Sequence, residues 1–299
     1  MNVLTIFTPT FNRAYLLSDL YESLLRQSNR GFEWLIVDDG SSDDTAELVA
    51  NWMNDGEILI RYYKQENQGK HIAHNKGVEL CHTPLFFCVD SDDRLPREAV
   101  QFIYDLYEEE KGKRVLGFYM RKSDFSGHTQ GMNWPHHVRY ATLNELYQKY
   151  RYRGEAAIIL FTEAIKPYSF PQFAGEKFVT ETVFYDQISA IAPMRLDDRI
   201  CYLFEYKRDG YTLQGMRLQF NNPVGTGYCF LHHIGYMSGF LERCKTMGQF
   251  LAWTEMFAID EPLYKRIQTP MYVKFFGHIL KSHYLKLFIR HRGALSNEA

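Results

Sequence analysis

An α/β architecture, with a mostly parallel central sheet followed by a mainly helical C-terminal region, is the fold class this 299-residue sequence predicts. Three observations carry the prediction. Through the first 110 residues, short β-rich apolar runs alternate with segments whose apolar positions recur at helical spacing, the signature of βαβ units with helices on both faces. Two of the runs, "WLIV" and "LFFCV", are continuously apolar, as strands buried on both faces must be. Beyond residue 215 helical spacing takes over.

The elements follow in order. "VLTIFTPT" is a β-rich run closed by Pro9, and "NRAYLLSDLYESLLRQS" is the helix after it. "FEWLIVDDGSSDDT" is a buried strand ending in acids and a Gly-Ser turn. "DDTAELVANWM" then opens a helix for which Ser42, Asp43 or Asp44 can supply the capping oxygen. "ILIRYYKQ" makes a third strand, "GKHIAHNKGVELC" a helix and "PLFFCVDSDD" a fourth strand. In "LPREAVQFIYDLYEEEKG" Pro96 suits the first turn of a helix, where a missing N–H costs nothing. Between 111 and 215 the pattern is less regular, with strands expected in "RVLGFYMR" and "EAAIILF", followed by the acid-bearing "FAGEKFVTETVFYDQISAI" and then "RICYLFEYKRDGYT". The division expected is a domain over 1–215, in parts 1–110 and 111–215, and a helical region over 216–299.

Composition is that of a globular protein able to bury a full core, 45% hydrophobic and 23% charged. The aromatic content of 16% suits either an aromatic core or a ring-stacking surface. Cys81, Cys88, Cys201, Cys229 and Cys244 show no CxxC pairing and read as reduced, mostly buried thiols. The N-terminal segment lacks the basic and apolar regions of a signal peptide, and no stretch reaches the ~20 apolar residues of a membrane span. A cytoplasmic protein, not integral to a membrane, is the expectation.

In open parallel sheets ligands bind beyond the carboxyl ends of the strands, here after Thr8, Val37 and Val89. Asp38 and Asp39 follow one strand; Asp90, Asp92 and Asp93 follow another. So many carboxylates repel one another unless a cation or water screens them. Asp-rich turns also cap helices, but two such clusters behind buried strands suit a hard divalent cation, Mg2+ or Mn2+, completed by water and phosphate oxygens.

Four motifs, "TIFTPTFNRAYLL", "WLIVDDGSSDDT", "NQGKHIAHNKGV" and "FFCVDSDD", stand in the order and spacing of the family 2 glycosyltransferases, which this chain resembles over about its first 110 residues and more loosely to about 210. The resemblance implies a GT-A fold, an αβα sandwich binding a nucleotide-sugar at the strand ends, and inverting transfer of a sugar from a UDP-sugar. It implies that Thr8, Pro9, Thr10 and Arg13 line the nucleotide end and that Asp39 accepts the N3–H of uracil, with Asp38 orienting that loop. Gly69 would permit close backbone approach, and Lys70 and Asn75 would point toward nucleotide or phosphate; His74 stands where relatives often have Arg. Asp90-Ser91-Asp92 would be the DXD element, Asp90 toward ribose and metal, Ser91 beside the nucleotide, Asp92 the principal ligand of Mn2+ or Mg2+. Asp93 would contact the donor sugar or orient the site.

An inverting transfer also needs a base for the acceptor hydroxyl. Relatives carry it in a Glu-Asp pair; this chain has "GEKFVTETVFYDQI", where Glu181 falls on the Asp position, with Glu176 its rival and helix capping with Thr180 the plain alternative. His71 with His74 and the pair His232-His233 read as helix surfaces before ligands. "NPVGTGYC" lacks the strand that precedes a phosphate loop. Arg208 and Asp209 in "EYKRDGYT" would shape the acceptor side.

From Pro262 onward seven Lys or Arg stand against one acid, +6 within a chain of net −2, so the remainder is −8. There Tyr272, Phe275, Phe276, Ile279, Leu280 and Leu287 recur near helical spacing among Lys274, Lys281 and Lys286. Such a helix either packs on the catalytic domain or lies at the inner membrane face, where lipid-linked acceptors reside. The partners expected are a UDP-sugar donor and a surface-glycan or lipid-linked acceptor, with no nucleic acid. A nucleotidyltransferase would want a Gly- and basic-rich loop after the first strand, which "TPTFNRAYLL" lacks; a non-catalytic nucleotide-sugar scaffold would need no base.

Overall fold

The structure, a computed structural model, describes residues 2–205 and 211–296. In chain order its elements are β1 (Leu4–Thr10), α1 (Ala14–Leu25), β2 (Phe32–Asp38), α2 (Thr45–Asp55), β3 (Ile60–Lys64), α3 (Lys70–Leu80), β4 (Leu85–Cys88), α4 (Ala99–Glu110), β5 (Gly117–Asp124), β6 (Tyr140–Ala141), β7 (Ala157–Phe161), α5 (Thr162–Ile165), α6 (Thr182–Ile188) and β8 (Met194–Phe204). Helices α7 (Tyr211–Asn221), α8 (Pro223–Ile234), α9 (Phe240–Phe257), α10 (Pro262–Arg266) and α11 (Met271–Ser296) follow.

Two compact units form, one of Met1–Ser169 with Ile188–Lys207, the other of Phe170–Gln187 with Arg208–Ala299. A single cut near 215 does not describe this division. Segment 170–187 joins the C-terminal helices because its side chains are satisfied there. Glu176 accepts backbone N–H groups of α8, Asp186 pairs with His233, and Phe173 packs on Tyr228.

The first unit is built on an eight-stranded sheet of order β3-β2-β1-β4-β7-β5-β8-β6. β1, β2, β3 and β4 run parallel, as their apolar runs require, and β1 and β2 are buried at every position. Alternation along the strands splits the side chains between two faces. Leu4, Ile6, Trp34, Ile36 and Phe87 meet α1, α2 and α4 on one face, where Tyr21 stacks on Trp52 at 4.3 Å. Phe7 and Phe86 point to the other, against His74 of α3. β7 is inserted antiparallel between β4 and β5, a pairing the sequence did not signal. Pro96 precedes α4 rather than opening it: its carbonyl accepts the Ala99 N–H, and the helix begins at Ala99.

In the second unit α9 and α11 form the principal helix pair. Their backbones come close because Gly248 faces Leu280 and Gly277 faces Met247; a Cβ on Gly277 would fall 2.3 Å from the Met247 side chain. Val273 and Phe288 are buried from α11, and Trp253 from α9. Of the apolar set that left packing and a membrane face open, Tyr272, Phe275, Phe276, Ile279 and Leu287 are exposed, Tyr272 and Phe276 touching Phe240 of α9. No described helix is long and apolar enough to cross a membrane.

Candidate active site

Because β1 lies between β2 and β4, the polar residues that follow all three strands emerge together. The register sets Thr10 opposite Asp38 and Phe7 opposite Cys88, so the acids after β2 and β4 flank Thr8, Pro9 and Thr10. Thr8 is buried and its hydroxyl accepts the Trp34 indole N–H at 2.9 Å, a bond that anchors the strand end from inside. Beyond β1, Asn12 is in the left-handed region and stitches two turns together. Its N–H reaches Ser41 Oγ, and its side-chain oxygen accepts the Ser42 N–H, both at 2.8 Å. Arg13 occupies the position before α1.

Asp38 and Asp39 do different work. Asp38 is fully buried and accepts from the Ser41 N–H and the Tyr62 hydroxyl, which orients the loop after β2. The Asp39 carboxylate takes the side chain of Gln65 and the N–H groups of Gln68 and Gly69, at 2.8, 2.9 and 2.7 Å. Three donors leave about one of its roughly four lone-pair directions for a further N–H. Gly69, at φ +96° and ψ 156°, holds a conformation open essentially to glycine alone. That conformation aims its N–H at Asp39 and starts α3 at Lys70. Asn75, five residues along α3, leaves the helix about 140° around from Lys70, so the two do not share a face.

Lys70 spans the gap between the two acidic loops. Its ammonium lies 2.8 and 3.1 Å from the two oxygens of Asp90. One carboxylate oxygen each from Asp90, Asp92 and Asp93 lie within 4.8 Å of one another. Burial works against ionisation of Asp90, but the charge and hydrogen bond of Lys70, with Lys122 and Arg13 behind them, hold its carboxyl below the usual range. Asp92 is raised by burial and by the charge of Asp90. Asp93 is pushed up to about 7, by burial first and then by Asp90. Three hard oxygen donors drawn into one turn, two of them with raised proton affinity, fit a divalent cation. Ser91, buried between them, belongs to the same turn.

Two residues at this turn escaped the sequence reading. Tyr202, on β8, hydrogen-bonds both Asp90 and Asp93, and Lys122 of β5 sits over its ring at 4.2 Å. Both arrive from more than 25 residues beyond the acidic turn, within a strand pattern that carries no mark of function. A cleft of about 570 Å³ adjoins the turn, lined by Ser23, Arg26, Arg94, Leu95, Phe125 and Leu203. Arg26 and Arg94 are paired there with Glu22 and Asp19, which offsets their charge.

In the second unit Glu181 immediately precedes α6, its carbonyl accepting the N–H groups of Phe184 and Tyr185. Thr180 directs its hydroxyl to Cys229. Glu176 is committed elsewhere: its two oxygens accept the N–H groups of Val224 and Gly225, each at 2.6 Å, at the start of α8. "NPVGTGYC" is that helix start, not a phosphate loop. His232 stacks on Tyr228 and lies tilted against Tyr236, and His233 Nδ1 lies 2.7 Å from Asp186. Arg208 and Asp209 lie outside the described residues.

Among solved structures the chain is similar to Staphylococcus aureus TarS 1–349 in complex with UDP-GlcNAc, with TM-score 0.61 and 16% identity over 97% of this chain and 92% of that one. That likeness is one of fold, and the fold is GT-A. Among curated relatives it is 26% identical to an Escherichia coli chondroitin synthase, over 67% of this chain and 28% of that protein. It is 28% identical to a putative teichuronic acid biosynthesis glycosyltransferase, TuaG, of Bacillus subtilis, over 42% of this chain and 47% of that one. The chain thus spans less than half the length of these curated relatives. The description "Glycosyl transferase family 2" matches residues 5–168, the segment that carries both acidic loops and Lys70, and the chain belongs to that family.

Proposed function

We propose that the chain is a metal-dependent, inverting glycosyltransferase that moves a hexosyl or N-acetylhexosaminyl group from a UDP-sugar to a hydroxyl of a glycan or lipid-linked glycan precursor in cell-surface polysaccharide synthesis. The observation that carries the reading is the meeting of Asp90, Asp92 and Asp93 with Lys70 at the strand ends of a family 2 fold. UDP as the nucleotide is supported by the similarity to TarS, whose complexes hold UDP-GlcNAc and UDP. Asp90 and Asp92 would hold Mn2+ or Mg2+, which when bound offsets negative charge on a departing diphosphate.

The chain's own residues supply the rest. Thr8, Pro9 and Thr10 form the floor of the nucleotide end, Arg13 stands at its edge, and Asp39 offers its remaining lone pair to a uracil N3–H. Lys70 brings a cation to the phosphates, and Asp93 bounds the donor sugar. Glu181 would take the proton from the acceptor hydroxyl as its oxygen attacks the anomeric carbon. Peripheral association at the inner membrane face, through the cationic α11, is the localisation this reading favours. Its apolar residues are exposed: Phe275 is 62% and Ile279 60% accessible.

The test is release of UDP from a panel of UDP-sugars, with Mn2+ and with EDTA, in wild type and in Asp92→Ala. Turnover in wild type that needs metal and is lost in the variant is the expected result. Metal-independent turnover, or an Asp92→Ala protein of undiminished activity, sinks the metal assignment; UDP binding without turnover of any donor points to a scaffold.

A further inference from the structure

We propose that Tyr202 is the positioning residue of the acidic turn: its hydroxyl fixes the spacing between Asp90 and Asp93 and so shapes the place that receives a divalent cation with a diphosphate. The proposal rests on the donor reading above and adds to it a residue from a strand more than a hundred positions away.

One hydroxyl does two jobs. It donates its proton to Asp93 Oδ2 at 2.6 Å and accepts the peptide N–H of Asp90 at 3.0 Å. With one proton and two lone pairs, a tyrosine hydroxyl can bridge a carboxylate and an N–H in this sense only. The bridge therefore clamps the first and last acids of the turn to a common point. Main-chain bonds reinforce it: Leu203, the next residue, exchanges two backbone hydrogen bonds with Arg94, at 2.9 and 3.0 Å. The end of β8 thus grips both ends of the segment 90–94. Three carboxylates in one turn repel one another and favour its opening; the four bonds from β8 oppose that.

The tyrosine is itself held still. It is 4% exposed, lies edge-on to Phe87 of β4 at 6.0 Å, and faces Lys122, its direct cross-strand partner in β5. The Lys122 ammonium sits 4.2 Å from the ring centroid and bonds Glu155 at 3.3 Å, so the cation stays over the ring. A phenylalanine at 202 would keep all of this packing and lose only the hydroxyl.

That defines the experiment. Amide hydrogen exchange at Asp90 and Mn2+-dependent binding of UDP are measured in wild type, Tyr202→Phe and Lys122→Met. In Tyr202→Phe the Asp90 amide should exchange about tenfold faster or more. UDP affinity in Mn2+ should fall about 10- to 100-fold, the effect of losing a hydrogen bond to a charged group. UDP affinity in EDTA should stay within about twofold, because the hydroxyl acts through the acidic turn. Lys122→Met leaves the hydroxyl in place and should keep the Asp90 amide protected. An equally protected Asp90 amide in Tyr202→Phe overturns the proposal, and so does an equal loss of UDP affinity with and without Mn2+. A wild-type protein that binds no UDP in Mn2+ would sink the donor reading instead, while the exchange result alone still decides whether this hydroxyl holds the turn.

Discussion

Replacing Glu176 by alanine should cost stability rather than chemistry. Its two carboxylate oxygens each accept an N–H of the first turn of α8, at 2.6 Å. Those N–H groups are among the donors a helix start leaves unpaired, and hydrogen bonds to a charged group contribute roughly 1.5–3 kcal/mol each. The side chain is only half-buried, so water recovers part of the loss, and about 2–4 kcal/mol is the expected cost, the helix dipole included. For a unit of roughly a hundred residues that is a fall in Tm of about 8–16 °C. Glu176→Gln, which keeps one acceptor oxygen, should lose about half as much. Differential scanning calorimetry reads the shift, and UDP release is measured well below the transition, where turnover should stay within about threefold of wild type. A variant that melts like wild type yet turns over 100-fold more slowly would refute the reasoning and make Glu176 the base.

Three further outcomes are expected. Glu181→Gln should bind UDP normally and lose about 10²–10⁴ in turnover, the usual contribution of a positioned base; turnover like wild type removes that role. Asp93, pushed up to about 7 by burial and by Asp90, holds a proton in the metal-free fold that the unfolded chain, near 3.8, has released. Metal-free stability should therefore fall between about pH 4 and pH 7, and Mn2+ affinity should rise over the same window as the proton leaves. Urea titrations with and without Mn2+ check this, and a pH slope that survives in Asp93→Asn contradicts it. The chain should co-sediment with anionic but not neutral vesicles, more weakly as salt rises, with ~1 kcal/mol from each engaged Lys or Arg. Phe275→Ser with Ile279→Ser, which spares the buried stripe of α11, should weaken that binding. A chain that ignores anionic vesicles at low salt has no such surface.

The first four strands and the helices between them were legible because burial on both sheet faces demands uninterrupted apolar runs, which "WLIV" and "LFFCV" supply. The acidic loops were legible for a related reason: charge placed directly after a buried strand has a short list of explanations. The insertion of β7 between β4 and β5 was not, since strand order is fixed by pairings between distant segments that composition does not record. Glu176 shows the same limit. Its neighbours in sequence gave no sign that its carboxylate would be taken up by a helix start nearly fifty residues on. On α11 the repeat of Tyr272, Phe275, Phe276 and Ile279 suited a packing face and a membrane face equally. Val273, Gly277 and Phe288 are the buried positions of that helix, two glycines permitting the close approach to α9, and Tyr272 and Phe276 reach α9 at Phe240 while staying exposed. Tyr202 was invisible for want of any local feature; only the turn of β8 against the acidic segment gives it a role.

The decisive measurement is a structure of the chain with a UDP-sugar and Mn2+. The cation is expected between the carboxylates of Asp90 and Asp92 and the diphosphate, with Lys70 beside the phosphates and the uracil against Asp39. A nucleotide bound away from the strand ends, or a diphosphate held there with no cation at the acidic turn in the presence of Mn2+, would contradict this arrangement.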